Sequence, residues 1–148
     1  MLFEAKFEKS GKFWAIEAPL LGVVTQGKTK ADALFMLGDA IEALINKEGF
    51  KASVTETGDG EAIVESTDSQ ALLAMALREL RRKSGQSLAE VSAKLGQSSR
   101  NAYARYEQGK AVPSADKLSE LLGAVAPGYR FVIRGVAPGI TKKKAAAR

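Results

Sequence analysis

The chain has 148 residues, 45% of them hydrophobic, with a formal net charge of +5, no cysteine and no histidine. That length makes one domain of ordinary size or two small ones, and the missing residues exclude disulfides, thiolate metal sites and the commonest zinc ligand and general base. The charge is unevenly spread: residues 1–68 hold 7 Lys against 12 Asp and Glu, a net of −5, whereas residues 69–148 hold 15 Lys and Arg against 5 acids, a net of +10.

The first apolar pattern has period two. FEAKF (3–7) places Phe3, Ala5 and Phe7 on one face of a strand. KSGK (9–12) predicts a turn, and FWAIEA (13–18) a second strand with Trp14, Ile16 and Ala18 on one side. Pro19 ends it, because proline cannot donate to a ladder. LLGVVTQG (20–27) predicts a third short strand. Thr29 then stands as an N-cap, with Asp32 at the third helical position in a weak capping box. The helix behind it carries Leu34, Leu37, Ile41, Leu44 and Ile45 on one stripe, and Gly49 is expected to stop it. KASVTET (51–57) and EAIVE (61–65) flank Gly58-Asp59-Gly60, a hairpin signal. Residues 1–66 therefore predict a small antiparallel sheet with one helix, an α+β domain.

STDSQ (66–70) is polar and reads as a short hinge, with residues 67–70 as the linker. Beyond it the period changes to that of helices. A first helix is expected over about 70–83, with Leu73, Leu77 and Leu80 as its stripe and a basic end that suits the helix dipole. Ser87 and Glu90 form a capping box for SLAEVSAKL (87–95), and Gly96 permits a turn. A third helix is expected near 99–107, closed by Gly109, and a fourth begins at Pro113-Ser114 with Leu118, Leu121 and Leu122 on its apolar side. Residues 71–126 thus predict an all-α helix-turn-helix domain. GYRFVIRGV (128–136) is a β-like run that either pairs with its copy in a second chain or caps the bundle of its own chain. PGITKKKAAAR completes the C-terminal region, 127–148, as a basic tail that adds phosphate attraction or is a plain solvated end.

The two short helices around Gly96 carry the functional argument. A helix-turn-helix needs apolar inner faces and a small junction. Val91 and Leu95 supply one inner face with Ser92 between them, and Tyr103 and Tyr106 anchor the other helix inward. Ser87, Ser98, Ser99, Arg100, Asn101, Arg105 and Lys110 are then the DNA-binding candidates: arginine suits guanine, asparagine suits adenine, and hydroxyls and lysine suit phosphate. The competing reading is a solvated surface helix whose arginines do nothing specific.

SLAEVSAKLGQSSRNAYARYEQGKAVPSADKLSELLGAV resembles the lambda-repressor-like, Xre-type helix-turn-helix family, with Gly96, Glu107, Gly109, Pro113 and Leu118 at its signature places. Ser92 stands where alanine is usual. The stretch from Gly96 to Glu107 is one residue longer than the common spacing, which leaves open whether Gln97, Ser98 or Ser99 begins the helix. The front half is similar to the HicB antitoxin pattern through Pro19, Leu21, Thr25, Gly27, Thr29 and Ala33. That resemblance implies a truncated ribonuclease H-like fold that binds a basic HicA-type toxin, an mRNA interferase. It also implies autorepression through operator DNA and a homodimer or tetramer.

An acidic module complements a basic protein and speeds the encounter. Trp14, Leu20, Leu21 and Val23 are the apolar candidates for toxin contact, with core packing as the competing reading, especially for Trp14. Glu4, Glu17, Asp39 and Glu42 lack metal-binding spacing, and no phosphate-loop spacing is present, so no catalysis, cofactor, metal or small-molecule substrate is expected. No run of about 18 apolar residues occurs, and the start carries charges where a signal peptide needs an apolar core. A cytoplasmic protein without a membrane span is expected. The alternative function is a stand-alone repressor whose front domain senses a ligand or protein.

Overall fold

The computed structural model of the chain describes residues 1–137. Five strands come first: β1 (Phe3–Ser10), β2 (Phe13–Ala18), β3 (Val23–Gly27), β4 (Ala52–Gly58) and β5 (Glu61–Ser66), with helix α1 (Lys30–Ile45) between β3 and β4. All neighbours are antiparallel, in the order β3-β2-β1-β5-β4. The α1 crossover therefore joins the two edges of the sheet. Its 16 residues span about 24 Å, enough to cross four inter-strand spacings of about 4.8 Å.

Alternation decides which face α1 covers. Phe3, Ala5, Phe7, Ile16, Ala18, Val23, Ala62 and Val64 point inward and meet Ala33, Leu37 and Ile41 of the helix. Thr29 caps α1 by accepting from the Asp32 N–H, while the Asp32 carboxylate accepts from the Lys28 N–H at 2.7 Å. Gly27 is needed at the corner before it: a Cβ there would run into the backbone of Asp32 and Ala33.

The remaining helices are α2 (Ser69–Lys83), α3 (Leu88–Lys94), α4 (Arg100–Glu107) and α5 (Ala115–Val125). They close a second core of Leu73, Leu77, Leu80, Val91, Tyr103, Leu121, Ala124 and Val125. Three successive helices end alike. The N–H of the residue after each terminal glycine reaches back five residues: Gln86 to Arg81 O, Gln97 to Ser92 O and Lys110 to Arg105 O. Gly85, Gly96 and Gly109 supply the left-handed backbone that this closure needs, with φ near +70°.

Several expectations change here. The third strand begins at Val23, not at residue 20, because two turn bonds (Leu21 N–H to Ala18 O and Gly22 N–H to Pro19 O) fold Pro19–Gly22 into a loop. Helix α1 stops at Asn46, which adopts φ 46°, three residues before Gly49; asparagine tolerates that conformation. Leu44 is exposed and not part of the buried stripe.

The expected hinge is not a free linker. Asp68 caps α2 and binds Lys47, and the Thr67 N–H donates to Lys51 O. Helix α2 then belongs to both cores: Leu72, Met75 and Ala76 enter the first, and Leu73, Leu77 and Leu80 the second. The boundary at 67–70 thus marks a change of element and not a gap in packing.

Residues 128–136 form no strand and lie exposed in this chain. They do not cap the bundle with a strand either. Tyr129 stacks on Phe131, and Arg134 pairs with Glu4 at 2.6 Å. Glu4 sits on β1, whose two sides are already paired with β2 and β5, so no ladder position is open there. The expected basic tail from Pro138 lies outside the described residues.

Candidate nucleic-acid interface

Helix α4 is set by what it buries. Tyr103 is fully buried and Ala104 nearly so. At 100° per residue, Asn101 and Arg105 each lie about 200° of helical rotation from Tyr103, on the solvent side, and are neighbours at i,i+4. Both are exposed, as is Arg100 beside them. The open question of where the helix starts is resolved by Ser99, whose hydroxyl accepts from the Asn101 N–H at 3.2 Å. Ser98 is exposed in the turn before it, and Lys110 is exposed just after the helix ends. The structure thus gathers Ser98, Ser99, Arg100, Asn101, Arg105 and Lys110 on or beside one helix.

Ser87 stands apart. Its hydroxyl accepts from the Glu90 N–H at 3.1 Å, and the Glu90 carboxylate accepts from the Ser87 N–H at 2.6 Å. That bond holds the Glu90 carboxyl below the usual carboxylate range. The start of α3 therefore carries a negative charge and offers no free Ser87 N–H to a phosphate. Sequence reasoning passed over Lys94. It is exposed in the last turn of α3 and, like Arg100, Arg105 and Lys110, makes no ion pair among the described residues. Its signal was a cation two residues before the junction glycine, Gly96.

The C-terminal end of α4 is held from α2. Arg81 grips Glu107 with two bonds, 2.6 Å and 3.0 Å, and donates a third to Gln86 O at 2.9 Å. Glu107 keeps only 6% of its side chain exposed and Arg81 20%. The bond to Glu107 holds the Arg81 guanidinium above its ordinary value. The Gln70 side chain donates to Gly109 O at the same end. Burial pushes the Tyr103 phenol up, with the Glu107 charge adding to it.

The front-domain candidates separate into core and surface. Leu21 and Val23 are 2% and 4% exposed and lie inside the first core, so the expectation that they touch a partner is corrected. Trp14 is half-buried, with its ring 6.1 Å from that of Phe7 and Lys30 Nζ 5.3 Å from its centroid. Leu20 is half-buried and packs against both cores. The acids lie on the open face of the sheet: Glu4, Glu8, Glu17, Glu61 and Glu65 are exposed there, and Lys6 stands opposite Glu17 on one side and Glu61 on the other.

Residues 72–126 match the family model described as a helix-turn-helix domain. That span runs from α2 through α5 and contains the whole of α3, the turn and α4. No curated protein compared with the chain matches it. The C-terminal half is a helix-turn-helix DNA-binding domain preceded by a sheet-and-helix domain. Among the described residues no helix is long and apolar enough to cross a membrane.

Proposed function

We propose that the protein is a transcriptional repressor whose α4 lies in the major groove of an operator, with its front domain sensing a protein partner. The observation that carries this is the asymmetry of α4: its C-terminal end is clamped by Arg81 and Gln70, while its start and its Asn101–Arg105 ridge stand free. Asn101 and Arg105 face base edges, with Arg100 beside them. Lys94, Lys110, Ser98 and Ser99 serve phosphates. Two copies related by a two-fold axis address half-sites one helical turn, or a multiple of it, apart.

A second reading is favoured by one further observation, the acidic open face of the sheet. An antitoxin that neutralises a basic HicA-type toxin and represses its own operon would present such a face. In this reading the buried Leu21 and Val23 are scaffold, and Trp14, Leu20 and the surface glutamates meet the partner. One experiment separates the readings. The chain is purified from cells carrying its native locus and footprinted on the upstream DNA. Protection of a two-fold site without a co-purifying basic protein supports the stand-alone repressor, and co-purification of one supports the antitoxin. Absence of protection at low salt, where phosphate attraction is strongest, overturns both.

A further inference from the structure

The loop between β2 and β3 lies on α2. The Lys83 ammonium donates to Pro19 O at 2.8 Å. Leu20 inserts its side chain where the two cores meet. Gly22, at φ +67°, rests so closely on the Glu79 side chain that a Cβ there would overlap it. Glu79 keeps 13% of its side chain exposed and accepts two bonds, at 2.7 Å and 2.8 Å, from the exposed Arg82 on the same helix. On another side of the same helix, Arg81 and Gln70 hold the end of α4. One rigid element thus touches a hairpin of the sheet domain and the clamp of the recognition helix.

We propose that this loop is a regulatory contact: its seating on α2 sets how firmly the recognition helix is held, so a partner that grips the β2–β3 hairpin changes the affinity for DNA. Physically, displacing the Glu79 carboxylate breaks its bonds to Arg82, and Arg82 adjoins Arg81, whose bonds hold Glu107. Coupling of this kind is reciprocal, so DNA binding also changes the affinity for the partner. The proposal rests on the DNA-binding reading above.

Two glycines make the test. Gly22 and Gly11 both have positive φ, +67° and +60°, but a Cβ at Gly11 meets nothing within 4 Å. Gly22→Ala and Gly11→Ala therefore impose similar backbone strain, and only the first displaces a side chain of α2, that of Glu79. Affinity is read by fluorescence anisotropy on a labelled duplex enriched from a random pool by the wild-type chain, with folding checked by circular dichroism. The expected result is a loss of about tenfold for Gly22→Ala. Gly11→Ala should stay close to wild type, and Gly22→Ala with Glu79→Ala should recover most of the loss. Wild-type affinity in a folded Gly22→Ala, or an equal loss in Gly11→Ala, overturns the proposal. If Gly22→Ala does not fold, Leu20→Ala answers the same question: weakened binding supports the contact and unchanged binding overturns it. A wild-type chain that enriches no duplex overturns the DNA-binding reading together with this one.

Discussion

Leu77→Ala tests whether the two cores are one cooperative body. Leu77 is 1% exposed and belongs to the helical core, whereas the single tryptophan, Trp14, belongs to the sheet. Truncating a leucine this buried removes its transfer energy and leaves a cavity, a cost of about 3 kcal/mol. With a urea slope of about 2 kcal/mol per molar for a chain of this size, the unfolding midpoint falls by about 1.5 M. Because α2 serves both cores, the drop should appear in Trp14 fluorescence as fully as in far-ultraviolet circular dichroism, although residue 77 lies in the other half. If circular dichroism shifts while the Trp14 midpoint stays fixed, the halves unfold separately and the shared-helix argument fails.

Arg100→Ala should weaken binding to the selected duplex by about tenfold, the lower part of the range for one good base contact. It should leave the melting temperature unchanged, since Arg100 is exposed and makes no ion pair among the described residues. Glu107→Ala should cost about 3 kcal/mol in urea unfolding, because it strands the Arg81 charge in a mostly buried site; a cost below about 1 kcal/mol would place that pair with ordinary surface bridges. Stability should also fall above about pH 10. The unfolded chain releases the Tyr103 proton there, while burial keeps it on in the fold. The slope is at most about 1.4 kcal/mol per pH unit for this one group, so Tyr103→Phe should flatten the alkaline limb of a stability-against-pH curve by up to that amount.

Local signals carried most of the fold. The strands of the sheet follow from alternation at Phe3, Ala5 and Phe7. Caps at Thr29, Ser87 and Ser114 appear where hydroxyl residues precede apolar periods. The glycines at 85, 96 and 109 mark helix ends because only their φ lets the following N–H reach back. What stayed hidden depends on tertiary context. Nothing in FWAIEAPLLGVV says that Leu21 and Val23 are interior while Leu20 straddles two cores. The expected stripe of α2 was Leu73, Leu77 and Leu80, but two neighbouring layers bury Leu72 through Leu77 continuously. Residues 128–136 have β-like composition but form no ladder within one chain, where the strand they touch through Glu4, β1, is paired on both sides. On α4, exposure of Asn101 and Arg105 followed from helical spacing, whereas the clamp by Arg81 needed a contact across 26 residues.

The Gln86 side chain donates to Ser84 Oγ and to the carbonyls of Ala124 and Val125, at 3.0 Å and 3.3 Å for the latter two. The turn that opens the helix-turn-helix is thereby buckled to the last turn of α5, 38 residues further on. A helix end usually frays by itself, yet these carbonyls are released only when the buckle opens. Amide hydrogens at the α3 cap and in the last turn of α5 should therefore exchange with solvent deuterium at matching rates, and Gln86→Ala should speed both together.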